Sequence, residues 1–549
     1  MNIVLRENVT YYDDFARFLR EIEKFDETVA IKWFDRKREE HQRTYKELTS
    51  DVKRLIRSFD SMGIAGKHIA ISAENCYEWT LVYLAAVATG GVAVCIDIEQ
   101  SAETIVELAS RSDACVLFIG ENNLDIGKMA MDAENQLEQI VVLDKKENQQ
   151  YLTIEDLLAK GDTLSEAEEI ERTIKPEQTA AIVFTSGTTG LSKPVMLSHR
   201  ALLANAIDSI TYVEAGPVVF TALPLCHTYG MTCSILATWI RGATVVLNGS
   251  LKTVMQDLHQ SKAYSILTVP LMLEAMHNQM WIAAEREGKA DGLRKVLKLE
   301  GIKRKLGFKT PLKVLRNLKK TVMGSLEVMI CGGAHMDHEI AQEFDLMGVT
   351  VLQGYGITEC SPLVAVNGTR WNKMDSVGMV LPSYEVKLDE EEICVRGKSV
   401  MNGYYKMPEE TAEAFDGEWF RTGDIGKVDK DGFLYITGRK KNLIVFKNGK
   451  KVSPESLEEK IRQFSLVKDV MVYGATSGVS ADDVKIAVSI YPDTERAVGL
   501  SSYEILGELQ REIDVLNDTL PLYQQIQMVN IREQEFNKTA MMKIKRHTV

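Results

Sequence analysis

The sequence predicts an α/β protein, with a large N-terminal domain of layered α/β sheets and a small α+β domain at the C-terminal end. The chain has 549 residues, more than one hydrophobic core usually serves, so at least two domains are expected. Helical and strand patterns alternate as far as residue 331, which favours parallel strands between helices. From about residue 375 the pattern becomes β-rich, and a shorter helix-and-strand pattern follows it.

The elements of the large domain are predicted from periodicity. Apolar residues at helical spacing indicate helices, and short apolar runs bounded by turn residues indicate buried strands. The predicted helices are residues 45–62 and 77–89. The predicted strands are residues 67–72, 91–96, 115–119, 139–143, 218–223, 243–247, 265–269 and 326–331. The acidic segment 161–178, poor in large apolar residues, is interpreted as a connector.

The C-terminal part begins with a hairpin signal. Asp431-Gly432 stands before the strand-like run 433–436, and such a pair favours a tight turn. Beyond residue 441 we expect helices at 454–464 and 502–516 and strands at 467–474 and 484–491. The predicted organisation is therefore an N-terminal domain at 1–438 with a β-rich subdomain at about 375–438, a hinge at 439–441, and a C-terminal domain at 442–549.

Composition excludes several classes of protein. A net charge of −13 argues against general nucleic-acid binding, and 45% hydrophobic residues is ordinary for a soluble globular protein. The eight cysteines form no C-x-x-C pair, so neither a zinc site nor a disulfide framework is indicated and a reducing compartment is expected. The sequence shows neither a signal peptide pattern nor a transmembrane segment, so a cytoplasmic location is expected.

A basic segment interrupts this acidic chain between residues 286 and 320. Lysine and arginine clearly outnumber acidic residues there, and leucines recur at helical spacing. One interpretation is a pair of solvated basic helices. The other is a surface that meets anionic lipid, through weak peripheral contact, or the phosphates of CoA, or an acidic carrier protein.

A loop of hydroxyls and glycines follows the apolar run 180–184, which is typical of a buried strand. Glycines let backbone N–H groups approach a ligand, hydroxyls donate hydrogen bonds, and the lysine adds positive charge, so a polyphosphate suits the loop. A Walker A loop does not fit, because the second glycine and the lysine are not adjacent, and a Walker-type phosphotransferase is disfavoured. The candidate phosphate-binding residues are Thr185, Ser186, Gly187, Thr188, Thr189, Gly190 and Lys193.

Further motifs follow this loop in a fixed order. They are LPLCHTYG at 223–230, GGA at 332–334, GYGITE at 354–359, TGD at 422–424, GRKKNLI at 438–444 and NKTAMMKIKR at 537–546. Together with the loop, these segments resemble the signature motifs of the adenylate-forming superfamily, which includes acyl-CoA synthetases, nonribosomal adenylation domains and firefly luciferase. The segments 438–444 and 448–455 look most like bacterial long-chain fatty acyl-CoA ligases.

The resemblance covers nearly the whole chain and is weakest before residue 60 and in the basic segment. Three positions depart from the superfamily pattern. Asn537 and Met542 stand where the superfamily has proline and glycine, and Pro194 stands where a glycine follows the loop lysine. Each change removes conformational freedom or alters loop shape near the phosphates.

The resemblance implies how ATP and Mg²⁺ would be held. The Tyr355 ring would stack on adenine, the Thr358 hydroxyl would reach the α-phosphate, and the Glu359 carboxylate would hold Mg²⁺ through oxygen. Asp424 would accept hydrogen bonds from the ribose hydroxyls, with Arg439 in support. The remaining residues implied to face the nucleotide are Gly332, Gly333, Ala334, Gly354 and Gly356.

The resemblance also implies two half-reactions. A substrate carboxylate attacks the α-phosphorus of ATP and expels pyrophosphate, with Lys543 as the catalytic lysine. A thiol then attacks the acyl-adenylate after the small, mobile C-terminal domain pivots at Lys441. Lys447 and Gly449 would face the thiol entrance, and His227 would lie beside the acyl pocket.

The expected substrate is a medium- or long-chain fatty acid, and the expected acceptor is CoA. Residues 223–235 contain no acidic side chain, whereas an amino-acid substrate would need a carboxylate for its ammonium group. Two alternatives remain open. One is an acyl-acyl carrier protein ligase or stand-alone loading enzyme, whose acceptor is a carrier phosphopantetheine. The other is a catalytically impaired nucleotide-binding regulator, which Met542 and Asn537 would favour.

Overall fold

The computed structural model describes residues 11–132, 136–143, 150–164, 172–185, 192–308, 310–334, 336–446, 450–476, 484–494, 496–538, 544 and 546. The chain divides into two compact units. The first comprises Met1–Glu385 and Val395–Phe420, and the second comprises Val386–Cys394 and Arg421–Val549. The second unit therefore includes residues 421–438, which the sequence assigns to the N-terminal domain, and the predicted boundary at 439–441 stays a prediction.

Capping residues and apolar periodicity determine where the helices begin and end. Thr44 and Glu47 form a reciprocal capping box at the start of α2, and Pro270 occupies the first turn of α10. The helices are α1 Phe15–Glu23, α2 Tyr45–Ser61, α3 Tyr77–Ala88, α4 Ala102–Arg111, α5 Leu124–Asp132, α6 Ile154–Thr163, α7 His199–Tyr212, α8 Ala237–Trp239, α9 Val254–Ser261, α10 Pro270–Arg286, α11 Ala290–Lys305, α12 Lys313–Met323, α13 His338–Met347, α14 Pro408–Ala414, α15 Pro454–Ile461 and α16 Ser502–Asp518.

The strands are short and mostly apolar, as buried strands of parallel sheets are. They are β1 Val29–Phe34, β2 Glu40–Thr44, β3 His68–Ser72, β4 Val92–Cys95, β5 Ala114–Ile119, β6 Gln139–Val142, β7 Leu152–Thr153, β8 Thr179–Thr185, β9 Lys193–Ser198, β10 Val218–Thr221, β11 Thr244–Leu247, β12 Ser265–Thr268, β13 Val328–Cys331, β14 Thr350–Gly356, β15 Leu363–Val366, β16 Gly378–Val380, β17 Tyr384–Asp389, β18 Glu392–Gly397, β19 Gly403–Tyr404, β20 Phe415–Asp416, β21 Trp419–Val428, β22 Phe433–Arg439, β23 Ile444–Val445, β24 Lys451–Val452, β25 Val467–Thr476, β26 Val484–Pro492 and β27 Met528–Ile531.

Two mixed sheets form the first unit. One has the order β2-β1-β11-β10-β12-β13-β14-β15-β16, and its strands from β1 to β14 are parallel. The other has the order β19-β9-β8-β4-β3-β5-β6-β7, parallel from β8 to β7. These sheets confirm the predicted α/β class, and each predicted strand up to residue 331 is present within about two residues of its predicted ends.

The cores of the first unit lie between the sheets and their helices. Helix α3 is apolar on all sides and almost entirely buried, as expected for a helix enclosed by other elements. One apolar cluster joins β10, β12, β13 and β14 to helices α9 to α13. Strand β1 reaches this sheet by pairing in parallel with β11, more than two hundred residues along the chain, a contact that no local pattern indicates.

The second unit contains an antiparallel hairpin and a separate small sheet. The hairpin joins β21 to β22, and Asp429 accepts hydrogen bonds from the backbone N–H groups of Asp431 and Phe433 in its turn. The small sheet has the order β25-β26-β27, and helices α15 and α16 pack on it through one apolar core. The helices and strands predicted beyond residue 441 are confirmed. Among the described residues, no helix is both long and apolar enough to cross a bilayer.

Candidate active site

The glycine- and hydroxyl-rich loop joins two antiparallel strands. Strand β8 ends at Thr185 and β9 begins at Lys193, and these two residues are paired in the register of the hairpin. The predicted phosphate-binding residues between them, Ser186, Gly187, Thr188, Thr189 and Gly190, lie outside the described residues. Pro194 pairs with Phe184 in the same hairpin, so the departure from glycine is accommodated within a strand.

Lys193 lies against an aromatic ring that the sequence analysis passed over. Its Nζ atom is 4.8 Å from the centroid of the Tyr404 ring, within the range of a cation–π contact. Tyr404 is brought there by strand β19, which pairs with β9 so that Tyr404 is opposite Val195. The contact joins residues more than two hundred positions apart, so no local pattern identifies it.

The same tyrosine holds the predicted metal ligand. The Tyr404 hydroxyl donates a hydrogen bond to Glu359 Oε1 at 3.0 Å, and the backbone N–H of Met401 donates to the Glu359 carbonyl at 2.8 Å. Burial, and after it the Glu359 carboxylate, raises the pKa of the Tyr404 hydroxyl well above its ordinary value of 10.0. Tyr404 is therefore a neutral donor at any physiological pH, and it orients Glu359 without neutralising it.

The surroundings of Glu359 fit a hard divalent cation such as Mg²⁺, which takes oxygen ligands. Glu359 is half-buried and forms no salt bridge with any other described residue. Its Oε1 atom is fixed by a neutral hydroxyl, so the full negative charge of the carboxylate is available to a cation. Glu359 is the residue of this cluster that would hold the metal.

A buried asparagine fixes the turn that carries Thr358 and Glu359. Asn205, on helix α7, donates from Nδ2 to the carbonyls of Cys360 at 3.2 Å and Leu363 at 2.7 Å, and its Oδ1 accepts from the Leu363 N–H at 3.1 Å. The Tyr384 hydroxyl also donates to the Cys360 carbonyl. Asn205 is completely buried, but α7 also carries the buried polar residues Asp208 and Ser209, so the sequence alone does not single out Asn205.

The predicted adenine segments meet at the carboxyl ends of β13 and β14. A Cβ atom at Gly332 would lie 3.4 Å from the Gly354 carbonyl oxygen and 3.4 Å from Tyr229 Cζ, so all three chain segments converge there. Tyr229 donates its hydroxyl to the Ile330 carbonyl at 3.0 Å. Gly333 has φ +91° and Ala334 follows it, while Gly356 ends β14. Tyr355 is buried, with 9% of its surface exposed.

His227 stands beside an acid that the sequence analysis did not select. Its Nε2 atom lies 3.9 Å from Asp97 Oδ2, and about a quarter of the imidazole is exposed. Asn75 clamps the preceding segment, donating to the Leu223 carbonyl at 2.9 Å and accepting from the Leu225 N–H at 3.0 Å. A side chain at Gly230 would overlap the Pro224 carbonyl, so this turn requires glycine.

In the second unit, the two predicted ribose-binding residues are paired with each other. Asp424 on β21 lies opposite Arg439 on β22, and Arg439 Nε is 2.7 Å from Asp424 Oδ1. The Asp424 side chain is 4% exposed, and that of Arg439 is 39% exposed. The backbone N–H of Asp424 donates to Thr422 Oγ1 at 3.0 Å, which holds the backbone of the loop at this position.

Glu392 supports the loop before Asp424, and sequence reasoning missed it. Its Oε1 accepts from the Gly423 N–H at 3.2 Å, and its Oε2 lies 2.8 Å from Arg421 and 2.7 Å from Lys440. Burial acts to raise the pKa of Glu392, but the two cations outweigh burial and the pKa is lowered below its ordinary value of 4.5. Gly423 itself has φ +71°, a conformation that favours glycine.

The predicted hinge residue Lys441 lies in a short 3₁₀ turn at Lys440–Asn442. On either side the chain is held to the start of α15. Asn442 Nδ2 donates to Glu455 Oε1 at 2.6 Å, and a side chain at Gly438 would overlap Ser453 Oγ. The predicted thiol-entrance residues Lys447 and Gly449 lie outside the described residues.

Lys543 also lies outside the described residues, but the chain on both sides of it is anchored. Lys538 forms a bridge with Ile544 and an ion pair with Asp469 at 2.8 Å. Arg546 donates to both oxygens of Glu458, at 2.7 and 2.8 Å, and to the Val472 carbonyl at 3.0 Å. Glu458 is buried, so this fork of hydrogen bonds is a fixed anchor for the end of the chain.

Comparison with known families gives two matches that together span most of the chain. Residues 18–405 match the AMP-binding enzyme family. Residues 441–549 match the C-terminal domain of AMP-binding enzymes.

Individual relatives are distant. The chain is 27% identical to the long-chain-fatty-acid–CoA ligase FadD15 of Mycobacterium bovis over 459 residues, which are 78% of this chain and 75% of that protein. It is 32% identical to the long-chain-fatty-acid–CoA ligase of Escherichia coli O157:H7, over 57% of this chain and 53% of that protein.

Solved structures share the fold over almost the full length. The anthranilate CoA ligase AuaEII in complex with anthranoyl-AMP gives a TM-score of 0.80 at 19% identity, covering 98% of this chain and 97% of that one. The o-succinylbenzoate CoA synthetase MenE of Bacillus subtilis, in complex with its acyl-adenylate, gives 0.75 at 20% identity and covers 98% of each chain.

Proposed function

Because this chain belongs to the AMP-binding enzyme family and is an AMP-forming acid–thiol ligase, we propose that it activates a medium- or long-chain fatty acid and transfers the acyl group to the thiol of CoA. The acid is first joined to AMP with release of pyrophosphate. The acyl group then passes to sulfur and AMP leaves. The named relatives that act on long-chain fatty acids support this choice of acid.

The observation that carries the proposal is the cluster of Lys193, Tyr404 and Glu359. A cation at the end of the phosphate loop and a carboxylate of full charge are held on the two sides of one tyrosine, by its ring and its hydroxyl. This arrangement suits a nucleoside triphosphate that binds together with a divalent cation. The phosphates would meet the positive charge of Lys193, and the cation would meet the negative charge of Glu359.

In the first half-reaction, one oxygen of the substrate carboxylate attacks the α-phosphorus of ATP in line. The bond from that phosphorus to the bridging oxygen breaks, and pyrophosphate leaves with the electron pair. A carboxylate needs no general base, so catalysis depends on positioning and on charge neutralisation. Thr358 would orient the α-phosphate, Lys193 would neutralise the departing phosphates, and Lys543 would meet the carboxylate and the bridging oxygen.

Glu359 would hold Mg²⁺, which when bound would supply positive charge that stabilises the negatively charged phosphates. The contribution of this chain is the orientation of that carboxylate. Tyr404 fixes Glu359 from one side, and the clamp by Asn205 fixes the turn that carries it. In the second unit, Asp424 would accept hydrogen bonds from the ribose hydroxyls, and its ion pair with Arg439 would hold the carboxylate in place.

In the second half-reaction, the thiol sulfur attacks the acyl carbonyl carbon of the adenylate. The bond from that carbon to the phosphate oxygen breaks, the thiol proton is lost to water, and AMP leaves. Lys441 would serve as the pivot that removes Lys543 before the thiol enters. The ion pair of Arg546 with Glu458 would carry the end of the chain together with α15 during this movement.

An apolar acid fits the segments around His227 better than an amino acid does. Residues 223–235 contain no acidic side chain, and Leu223, Leu225 and Met231 are buried apolar residues. Asp97 is near, but its carboxylate already has a polar neighbour, since Oδ2 lies 3.9 Å from His227 Nε2. A free ammonium group would need a carboxylate of its own.

The test is the full reaction with ATP, Mg²⁺ and a panel of acids. The panel holds saturated fatty acids of increasing length, benzoate-type acids and amino acids, each with CoA or with a phosphopantetheinylated carrier protein. We expect AMP and acyl-CoA in equal amounts with medium- or long-chain fatty acids. Lys543→Ala should abolish AMP formation while ATP still binds.

Three results would contradict the proposal. The first is AMP formation with amino acids and none with fatty acids. The second is thioester formed only on the carrier protein. The third is ATP binding with no acid-dependent AMP formation, which would make the chain a nucleotide-binding regulator.

A further inference from the structure

The basic segment carries a charge opposite to that of the rest of the chain. Residues 286–320 hold thirteen lysines and arginines against three acidic residues, a net of +10 in a chain whose net charge is −13, so the remainder carries −23. The segment covers most of helices α11 and α12 in the first unit. A concentration of this kind produces a strongly positive local field on an otherwise acidic protein.

Helix α11 has apolar residues on two opposite faces. Leu293 and Leu297 are buried, and they pack in the apolar cluster with α13. Leu299 and Ile302 are 56% and 52% exposed, and Leu306 just beyond the helix is 72% exposed. With about 100° between successive residues, these two stripes point in opposite directions. A helix that only covers a core needs one apolar stripe, so the outer one requires another explanation.

The inner face is anchored by a buried carboxylate. Glu300 is completely buried, and its oxygens meet Lys303 at 2.9 Å, Arg304 at 3.0 Å and the Leu312 N–H at 2.9 Å. This network ties α11 to the start of α12. It also neutralises the cations that lie nearest the core, and it fixes which face of α11 points outward.

The outer cations have no such counter-charge. Lys295, Lys298 and Lys305 are exposed and form no ion pair with any other residue that the structure describes. They fall on the same side of α11 as the outer stripe. We call this surface the basic–apolar face, and its six residues are Lys295, Lys298, Leu299, Ile302, Lys305 and Leu306. Phe308, 65% exposed, extends it beyond the helix end.

We propose that the basic–apolar face binds the surface of an anionic lipid bilayer. The lysines would meet lipid phosphates, and Leu299, Ile302 and Leu306 would enter the boundary between head groups and acyl chains. Apolar side chains flanked by lysines on one face of a helix are the arrangement that suits this interface. The interaction needs neither a transmembrane helix nor the adenylation chemistry.

Charge and exposure favour a bilayer over the other occupants. A second copy of the chain would bring the same positive face against itself, with repulsion between its lysines. An acidic carrier protein would complement the lysines but leaves the outer apolar stripe unexplained. Helix α16 offers a contrast, because its exposed Tyr503 and Val515 lie among acidic residues and so would be repelled by an anionic surface.

The experiment is co-sedimentation of the full chain with extruded vesicles. One set is phosphatidylcholine alone, and the other contains phosphatidylglycerol at about one lipid in three, a density that gives a marked surface potential. We expect binding to the anionic vesicles only, weakened by salt. Lys295→Gln with Lys298→Gln should lower the partition coefficient about 25-fold, at about fivefold for each lost charge. Leu299→Gln with Ile302→Gln should lower it by a similar order.

Matched controls lie elsewhere on the surface. Lys128→Gln with Lys160→Gln removes two exposed lysines from α5 and α6, and Tyr503→Gln with Val515→Gln removes two exposed apolar residues from α16. Both should leave binding within about twofold. All variants should keep the wild-type rate of AMP formation without vesicles, which separates this proposal from the proposed function.

The proposal is overturned if the wild-type chain leaves anionic vesicles unbound, or if the control variants lose binding as fully as the variants of the basic–apolar face. It is also overturned if those variants break up a dimer, or if they abolish recognition of an acidic carrier protein while vesicle binding persists.

Discussion

Glu359 in the first unit and Asp424 in the second are both predicted to serve the nucleotide, and their surroundings differ. Glu359 accepts a hydrogen bond from the neutral Tyr404 hydroxyl at 3.0 Å and has no salt bridge with another described residue. Asp424 lies 2.7 Å from the guanidinium of Arg439, and almost no surface of its side chain is exposed. One carboxylate keeps its full charge, and the other is already balanced.

Under the proposed function, this difference suits one residue type to two tasks. A metal site needs a carboxylate whose negative charge is not already paired with a cation. The residue that positions this carboxylate must therefore be neutral. A ribose site needs lone pairs in a fixed direction and gains nothing from excess charge, so a guanidinium can hold its carboxylate. Removing charge should therefore impair the two positions in different ways.

Glu359→Gln should have the largest effect. The amide keeps the shape and can still accept from Tyr404, but it loses the charge that would attract Mg²⁺. We expect AMP formation to fall on the order of a thousandfold, and excess Mg²⁺ to restore little of it. Acid-dependent AMP release measured across a Mg²⁺ titration is the check. A near-normal rate with an unchanged melting temperature would remove Glu359 from the metal site.

Asp424→Ala should raise the KM for ATP about 30-fold, which corresponds to the loss of a hydrogen bond to a charged group worth about 2 kcal/mol. Asp424→Asn keeps one acceptor oxygen and should lose less. Neither should change the Mg²⁺ concentration needed for half-maximal rate. If Asp424→Asn shifts the Mg²⁺ requirement as Glu359→Gln does, the contrast between the two carboxylates is wrong.

Tyr404→Phe should slow AMP formation about tenfold, because it removes one hydrogen bond to a charged carboxylate and keeps the ring that contacts Lys193. The lost orientation should also raise the Mg²⁺ requirement. Tyr405→Phe is the matched control, since its hydroxyl donates to Asp113 at 2.6 Å in the same unit. Equal losses in both variants would mean that Tyr404 acts only through stability.

Glu392→Gln should have the smallest effect, and it should appear in stability rather than rate. The folded pKa of Glu392 is lowered, so its stabilisation is present above the ordinary value of 4.5 and is lost as pH falls through the lower folded pKa. We expect the variant to be less stable by about 1 kcal/mol at neutral pH, with no difference at an acid pH below the lowered folded pKa. Urea unfolding at both pH values is the measurement. If the stability difference between the variant and the wild type became larger in acid, the assigned direction of the Glu392 pKa shift would be wrong.

Periodicity predicted most of the elements, because strands such as β3 and β12 are continuous apolar runs between turn residues. It did not predict β1, whose place in the sheet depends on pairing with β11 far along the chain. Strand ends were also displaced by one or two residues, since the apolar run continues beyond the last backbone pair.

The candidate site was predicted as separate motifs, and the structure adds the residues between them. Lys193 and Glu359 came from recognisable motifs. Tyr404 and Asn205, which join and clamp those motifs, have no local signature, because their contacts span more than a hundred residues. Glu392 was missed for the same reason, since it supports Asp424 from a different strand.

The most direct test of the account is the exchange of labelled pyrophosphate into ATP in the absence of any thiol. Exchange reports the reversible first half-reaction alone. We predict exchange that requires Mg²⁺ and a medium- or long-chain fatty acid, and that Glu359→Gln abolishes. Two results would contradict the claim that this chain makes an acyl-adenylate. One is exchange that occurs without a fatty acid, and the other is the absence of exchange with every carboxylic acid although ATP is bound.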